Sequence, residues 1–435
     1  MATKMAITNK YPDITKSQEI LKKAQKIMHP VTQTMAKGPG QYSKGISPVY
    51  LERGKGSHVW DVDGNEYIDY NIGIGPISLG YCYDKVDNAI KEQLAKGITF
   101  SLMHRLEYEV CELLHQTVPN AESIRISKTG CDVTTAAVRL SRAFTGRKKV
   151  VCCGYHGWHD WYIATTTRNA GIPEEVQALT KTFQYNNIES LKAVLDKDVA
   201  CVILEPYVFE APKDNFLQEV ARLAKENGSL LVFDEMWSGF RIAVGGAQEY
   251  FGIKADLACF SKAVANGMPV SFLTGRKDVI SRGEQDVFIF TTFGGEALSL
   301  AACLATITEV KEKNVPAYLA EKGKVIKDGY NELAKKAGVS HLTSCTGFDC
   351  RSIVNFSGDN PLVLKTLMQQ EMIKRGVLWG GFHNMCFSHT DEDIQQTLAA
   401  YADVFPILKE AVESGKPETY LKGEVLEMVF RKAKY

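Results

Sequence analysis

From Ser123 to Gly275 the chain repeats one pattern. Short, nearly continuous apolar runs alternate with polar turns and with stretches of helical spacing. The runs are Lys149-Val150-Val151-Cys152-Cys153, Val199 to Leu204, Leu230-Leu231-Val232-Phe233, Ala258-Cys259-Phe260 and Val270 to Thr274, preceded by Ser123-Ile124-Arg125-Ile126-Ser127. Runs of this length without alternation suit strands buried on both faces. Between them, Asp132 to Phe144 carries Val133, Ala136, Ala137, Leu140 and Ala143 on one helical stripe, and Asn215 to Asn227 forms an amphipathic helix closed by Gly228. This order predicts an α/β fold with a mainly parallel sheet covered by helices.

The flanks read differently. Residues 1–16 are polar and expected to be loosely ordered. Ser17 to Met28 has helical spacing, with Ile20, Leu21, Ala24 and Ile27 on one stripe, Ser17 as N-cap and Pro30 as stop. After a Gly38-Pro39-Gly40 linker, Tyr50 to Tyr70 predicts short strands turning at Gly54 and at Asp63-Gly64-Asn65. Helical periodicity fills Val86 to Gln116, broken around Gly97 to Met103, and returns from Glu296 to Lys313 and on to about Lys336. The C-terminal part predicts a strand near Cys350 to Phe356, a helix from Pro361 to Arg375, a strand-like Val377-Leu378, and a last helix from Asp391 to Glu410. Thr390 should cap that helix and Pro406 should kink or interrupt it. Three parts are expected: an N-terminal segment 1–75, a large domain 76–319 and a small domain 320–435.

Two of the buried runs end in ionisable residues, Asp234 and Lys262. In an open α/β sheet, ligands sit outside the carboxyl ends of the strands, so both side chains are expected in one crevice. A carboxylate and an amine there can hold a pyridinium nitrogen and form an imine with an aldehyde, the protein's share of pyridoxal phosphate chemistry. Thr129-Gly130-Cys131 opens the helix after the first strand, where free N–H groups and the helix dipole favour a phosphate. Gly154-Tyr155-His156-Gly157-Trp158-His159-Asp160 reads as an aromatic wall for a planar ligand; no metal is expected, because no HExxH spacing exists.

Composition narrows the partners. Lys plus Arg equals Asp plus Glu at 51 each, which gives no bulk reason to expect nucleic acid or an anionic membrane. The eleven cysteines form no CxxC pair, which suggests free thiols in a reducing compartment. No apolar stretch is long enough to span a bilayer, and a cytoplasmic location is expected.

Many ordered motifs then agree with one family. Ser47-Pro48-Val49, Trp60 to Asp69, Thr129-Gly130-Cys131-Asp132, Tyr155-His156-Gly157, Glu205-Pro206, Phe233 to Met236, Ser238-Gly239-Phe240-Arg241, Ser261-Lys262-Ala263, Asn266 to Pro269, Thr292 to Gly295 and His389 to Ile394 all match. The chain resembles the class III pyridoxal-phosphate-dependent aminotransferases of fold type I, nearest the glutamate-1-semialdehyde 2,1-aminomutase branch, over about residues 45 to 405. The resemblance implies a seven-stranded large domain, a smaller α+β domain from both chain ends, and a homodimer, which could pair further into a tetramer. It implies Lys262 as the Schiff-base lysine and Asp234 on the pyridine nitrogen. Tyr155 would stack on the cofactor, with Met236 on the other face. Thr129, Gly130 and Cys131 would form the phosphate cup, and His156 and Glu205 would line the site. Thr292 would reach the phosphate of the other subunit. The implied activity moves an amino group to or from a carbonyl of a small polar metabolite such as a keto or aldehyde sugar. Glutamate-1-semialdehyde aminomutase or another amino-shifting or racemising reaction is the alternative. Cys131 stands in place of a hydroxyl, Glu296-Ala297 in place of Asn-Pro, and Tyr50 in place of the arginine that follows Ser-Pro-Val in the aminomutases.

Overall fold

The computed structural model describes residues 9–207 and 209–427; residues 1–8, within the polar N-terminal stretch, and the last eight residues of the chain lie outside it. The chain divides into two units. One is Asp84–Ala317; the other joins the chain up to Tyr83 with the chain from Tyr318 onward.

The second of these begins with helix α1 (Thr15–Ala24) and strands β1 (Leu51–Lys55), β2 (His58–Asp61) and β3 (Glu66–Asp69), paired antiparallel. Helix α1 departs from the expected cap. Ser17 lies inside it, fully buried, and its hydroxyl accepts the N–H groups of Val49 and Tyr50. Asp63 does the capping from a distance, its carboxylate accepting Lys16 N–H at 2.7 Å and Ser17 N–H at 2.9 Å. The expected apolar stripe is mostly outside, since Ile20 and Ile27 are exposed and Ala24 alone is buried. Gly54 is not a turn: it pairs with Val59 within β1, and a Cβ there would meet the Tyr81 ring at 2.6 Å.

Asp84–Ala317 starts with helices α2 (Asp84–Leu94) and α3 (Arg105–Thr117), separated where the periodicity broke. Strand β4 (Ser123–Ser127) leads into α4 (Gly130–Thr145), followed by β5 (Lys149–Cys153), β6 (Thr180–Thr182), β7 (Val199–Leu204), β8 (Leu230–Asp234), β9 (Leu257–Phe260) and β10 (Ser271–Gly275). They form a seven-stranded sheet in the order β4-β10-β9-β8-β7-β5-β6, parallel except where β10 meets β4 and β9. Every residue of β7 and β8 is buried. Each large apolar side chain there contributes about 1.5–3 kcal/mol of burial, so these central strands anchor the sheet. Val133, Ala136, Ala137 and Leu140 of α4 pack on it, as their spacing predicted. Ala297–Glu312 is a helix capped by Glu296, whose carboxylate accepts Leu298 N–H and Ser299 N–H.

The later chain adds the helix Val315–Lys336, β11 (Thr343–Phe348), β12 (Arg351–Phe356), the helix Pro361–Lys374, β13 (Val377–Leu378), β14 (Phe382–Asn384) and the helix Asp391–Glu413. Strand β13 pairs parallel with β3, Val377 against Ile68 and Leu378 against Asp69. The last helix has the Thr390 cap, completed by Asp393. It runs through Pro406 without a break. A mid-helix proline costs about 3 kcal/mol, and the buried neighbours Phe405 and Leu408 offset that cost. Among the described residues no helix is long and apolar enough to cross a membrane.

Candidate active site

The fold brings the carboxyl ends of β5, β7, β8 and β9 to one edge of adjacent parallel strands. Asp234 ends β8 with 1% of its surface exposed. Its Oδ2 lies 2.8 Å from His156 Nδ1, and its Oδ1 accepts Met236 N–H at 3.1 Å. The other nitrogen of His156, Nε2, faces the Cys153 carbonyl at 3.1 Å. Both ring nitrogens thus face oxygen atoms, a carboxylate on one side and a carbonyl on the other. The histidine thereby fixes the orientation of the carboxylate.

Lys262 follows β9 and opens a short 3-10 turn, Lys262–Ala265. Its φ of 46° places it in the left-handed region, as does Asn266 at 44°. A side chain in that region costs on the order of 1–3 kcal/mol and persists where the surroundings fix it. Ser261 does part of this by donating its hydroxyl to Val270 O at 2.8 Å. Lys262 Nζ stands 4.0 Å above the centre of the Trp237 ring.

The aromatic loop after β5 is held by the same elements. Glu205, at the end of β7, accepts Tyr155 N–H at 2.8 Å. Burial, reinforced by the Asp234 charge, raises the Glu205 carboxyl above its usual range. Gly154 has a φ of 107°, and a Cβ on it would meet Glu205 Oε2 at 2.6 Å. Only glycine permits that approach. Thr134 of α4 donates to His156 O at 3.0 Å, which ties the loop to the helix. His156 stacks on Trp161, and Tyr155 meets Tyr162 edge-on. His159 is bonded to Thr135.

Helix α4 presents its N-terminus beside this loop. Thr129 caps it, its hydroxyl accepting Asp132 N–H while the Asp132 carboxylate accepts Thr129 N–H. The first N–H groups of a helix have no intrahelical acceptor, and here they belong to Gly130 and Cys131. A Cβ on Gly130 would meet Met236 Sδ at 2.9 Å, and one on Gly157 would meet Cys131 Sγ at 2.5 Å. The two glycines therefore bring helix start, aromatic loop and Met236 together. Burial raises the Cys131 thiol, so it stays protonated there.

Asp234, Met236, His156, Tyr155, Glu205, Gly130 and Cys131 are thus linked by direct contacts, and Lys262 joins them through Trp237. Thr292 stands apart: it is exposed, between the exposed Phe290 and Phe293. Three residues were missed. Trp237 is one. Lys128 binds Glu296 at 2.6 Å and Pro269 O at 3.1 Å, fastening the segment after Lys262. Glu235 follows the last residue of β8 and is fully buried. It accepts Ser238 Oγ and the N–H groups of Ala247 and Gln248, and burial pushes it up to about 7. The immediate succession Asp234-Glu235 after a buried run was the available signal for it.

The residues present fit a phosphorylated pyridine aldehyde. A buried, oriented carboxylate, an amine and an aromatic loop follow the carboxyl ends of neighbouring parallel strands, and glycines bring the start of α4 against Met236 and that loop. The comparisons agree. The profile described as Aminotransferase class-III matches residues 40–387. The chain is 34% identical over 377 residues to a 3-aminobutyryl-CoA aminotransferase of Cloacimonas acidaminovorans, covering 83% of this chain and 89% of that one. It is 34% identical over 397 residues to a glutamate-1-semialdehyde 2,1-aminomutase of Persephonella marina, covering 83% and 92%. Among solved structures it superposes on the FumI protein of Sphingopyxis sp. MTA144, solved in its PLP internal aldimine form, with a TM-score of 0.86, 27% identity, and 94% and 100% of the two chains covered.

Proposed function

Since this chain belongs to the class III aminotransferase family and shares its pyridoxal phosphate chemistry, we propose that it transfers an amino group to or from the carbonyl of a small polar metabolite, a keto or aldehyde sugar among them, and that Lys262 is the amine that holds the cofactor. The observation that carries this is the convergence of Asp234, His156, Tyr155 and the α4 N-terminus with Lys262 at the carboxyl ends of adjacent strands. When bound, pyridoxal phosphate supplies an aldehyde that takes up an amine and a ring that accepts the electron pair left on the substrate carbon.

Each residue then has one task. Asp234, oriented by His156, would hold the proton on the ring nitrogen. Tyr155 and Met236 would hold the ring between them. Thr129, Gly130 and Cys131 bind the phosphate at the start of α4. Lys262 would hold the cofactor through Nζ and would carry the proton to and from the substrate carbon. Tyr50 leaves no guanidinium at the position after Ser47-Pro48-Val49; its hydroxyl is buried without a hydrogen-bond partner among the described residues. This supports a substrate other than an amino-acid semialdehyde.

A homodimer is part of the proposal. Asp84–Ala317 exposes Leu102, Met103, Tyr108, Phe288, Phe290 and Phe293, and Met103 is 90% exposed. Exposed apolar side chains in such number mark an association surface. Thr292 lies between the exposed Phe290 and Phe293 in the sequence, and on this reading it serves a second copy of the chain. A cytoplasmic location completes the reading.

The test uses the purified full-length protein. It should absorb visible light as an imine, and borohydride should fix the cofactor on Lys262. Lys262→Ala should lose both the adduct and turnover, by on the order of 10²–10⁴-fold or more; full transaminase activity in that variant would end the proposal. The identity to the aminomutase favours one second reading, an intramolecular amino shift. Transfer of the amino group to an added keto acid such as 2-oxoglutarate supports the transaminase. Turnover without any acceptor supports the shift.

A further inference from the structure

Trp237 places its ring centre 4.0 Å from the Lys262 amine, and neither the mechanism above nor the expected motif uses it. Its backbone is held by a rigid turn. Asp234 Oδ1 accepts the N–H of Met236 just before it, and Ser238 just after it donates to the buried Glu235 carboxylate. Glu235 also accepts the N–H groups of Ala247 and Gln248. The lysine backbone is equally fixed, by its left-handed φ and by the Ser261 bond to Val270 O. Two anchored backbones thus present a ring face to an ammonium group at 4.0 Å. A cation at that distance is attracted by the electron-rich face of the indole.

We propose that Trp237 is a positioning residue for the proton transfer: its ring face is the place where the Lys262 amine rests whenever that amine is released. Lysine has a long, flexible stem, and a displaced amine without a docking place samples many rotamers. A released amine held on one ring face samples fewer positions, which is what an acid–base group needs. The ring is half-buried, so its face is partly shielded from water and the attraction exceeds that of an exposed pair.

This inference rests on the reading that Lys262 holds the cofactor, and the experiment separates the two. Trp237→Phe keeps an aromatic face, whereas Trp237→Leu fills much of the space without one. We expect Trp237→Phe to stay within about threefold of the parent kcat and Trp237→Leu to lose roughly tenfold in kcat with KM unchanged. A second readout needs no turnover. In the full-length chain freed of cofactor, Lys262→Ala should shift the indole emission of the parent protein and leave that of the Trp237→Phe background unchanged. Equal kcat for the Phe and Leu variants, or the same emission shift in both backgrounds, would overturn the role of Trp237. Absence of a borohydride-fixed adduct on Lys262 would instead overturn the underlying reading.

Discussion

Each unit of this protein buries an aspartate against a histidine, and the two pairs do different work. Asp234 lies 2.8 Å from His156 and Asp393 lies 2.9 Å from His58. Asp393 is surrounded by donors: His58, the hydroxyl of Ser57 and the N–H of Thr390 all reach it, and its own N–H caps back to Thr390. Burial pulls its carboxyl upward, but those hydrogen bonds win and hold it at about 2. On His58, burial works downward, and the carboxylates of Asp393 and Glu66 outweigh it and raise the imidazole. Asp234 instead ends a strand beside an amine, an aromatic loop and a helix N-terminus. The lesson is that a buried charge pair has meaning through what lies on its far side. One pair closes upon a helix cap; the other ends at a crevice.

The comparison breaks most clearly at Asp234. Asp234→Asn keeps the shape and a partner for His156 but removes the charge. Turnover should fall by on the order of 10²–10³-fold, with the cofactor still fixed on Lys262 by borohydride. A near-parental kcat would mean that this pair, too, is only structural.

The converse change is Asp393→Asn. Catalysis should be unaltered, while stability measured by chemical denaturation at pH 6 should drop by about 2–3 kcal/mol. The pH dependence has a definite sign. The folded-state value of Asp393 is lowered, so its contribution is present above pH ~4 and is lost as pH falls toward 2. His58 is raised, so its contribution is full below pH ~6.5 and is lost as pH rises through its folded value. The gap between parent and variant should therefore narrow in acid and again above neutrality. A gap that is constant over that range would show that the pair is not the source.

A third effect sharpens the acid side. His383 and His389 are fully buried in the same unit, and burial lowers them to about 3 and about 4. Their hydrogen bonds, to Ser352, Tyr401, Cys386 N–H and Asp69 O, stay inside the unit. The unfolded chain takes up protons on them below pH ~6.5 before the folded chain does, so stability falls with acidification from there. His383→Asn should reduce that slope between pH 6 and 4 in urea titrations. An unchanged slope would assign it elsewhere.

The same contrast explains what could be read from the residues alone. In Asp84–Ala317, β7, β8 and β9 are local apolar runs, and their order fixes a parallel sheet through right-handed crossovers. Asp234, Lys262 and the Thr129 cap were legible because each sits at the end of a run or the start of a helix. Trp237 and Lys128 were not, since their roles come from contacts across 25 or more positions, as with Lys262 and Glu296. The other unit is assembled from distant pieces. Ile68 pairs with Val377 and Ser57 meets Asp393, partners more than 300 positions apart. No local periodicity encodes such pairing, so β11 and β14 went unseen and the source of the α1 cap was misplaced. Asp63 looked like a turn residue because its role is fixed by Lys16 and Ser17, which lie 47 and 46 positions away.

The smallest effect offers the finest discrimination. Thr129 and Thr390 are both N-caps with an aspartate completing a capping box, one in each unit. As caps they are equivalent, and replacing either by alanine should cost about 1 kcal/mol of stability. Thr129, however, heads the helix whose free N–H groups face the proposed phosphate. Thr129→Ala should therefore also weaken cofactor loading, read as a rightward shift in a pyridoxal phosphate titration followed by absorbance. Thr390→Ala should leave that titration unmoved. Equal titrations for the two variants would reduce Thr129 to a cap and leave the phosphate to the backbone of Gly130 and Cys131 alone.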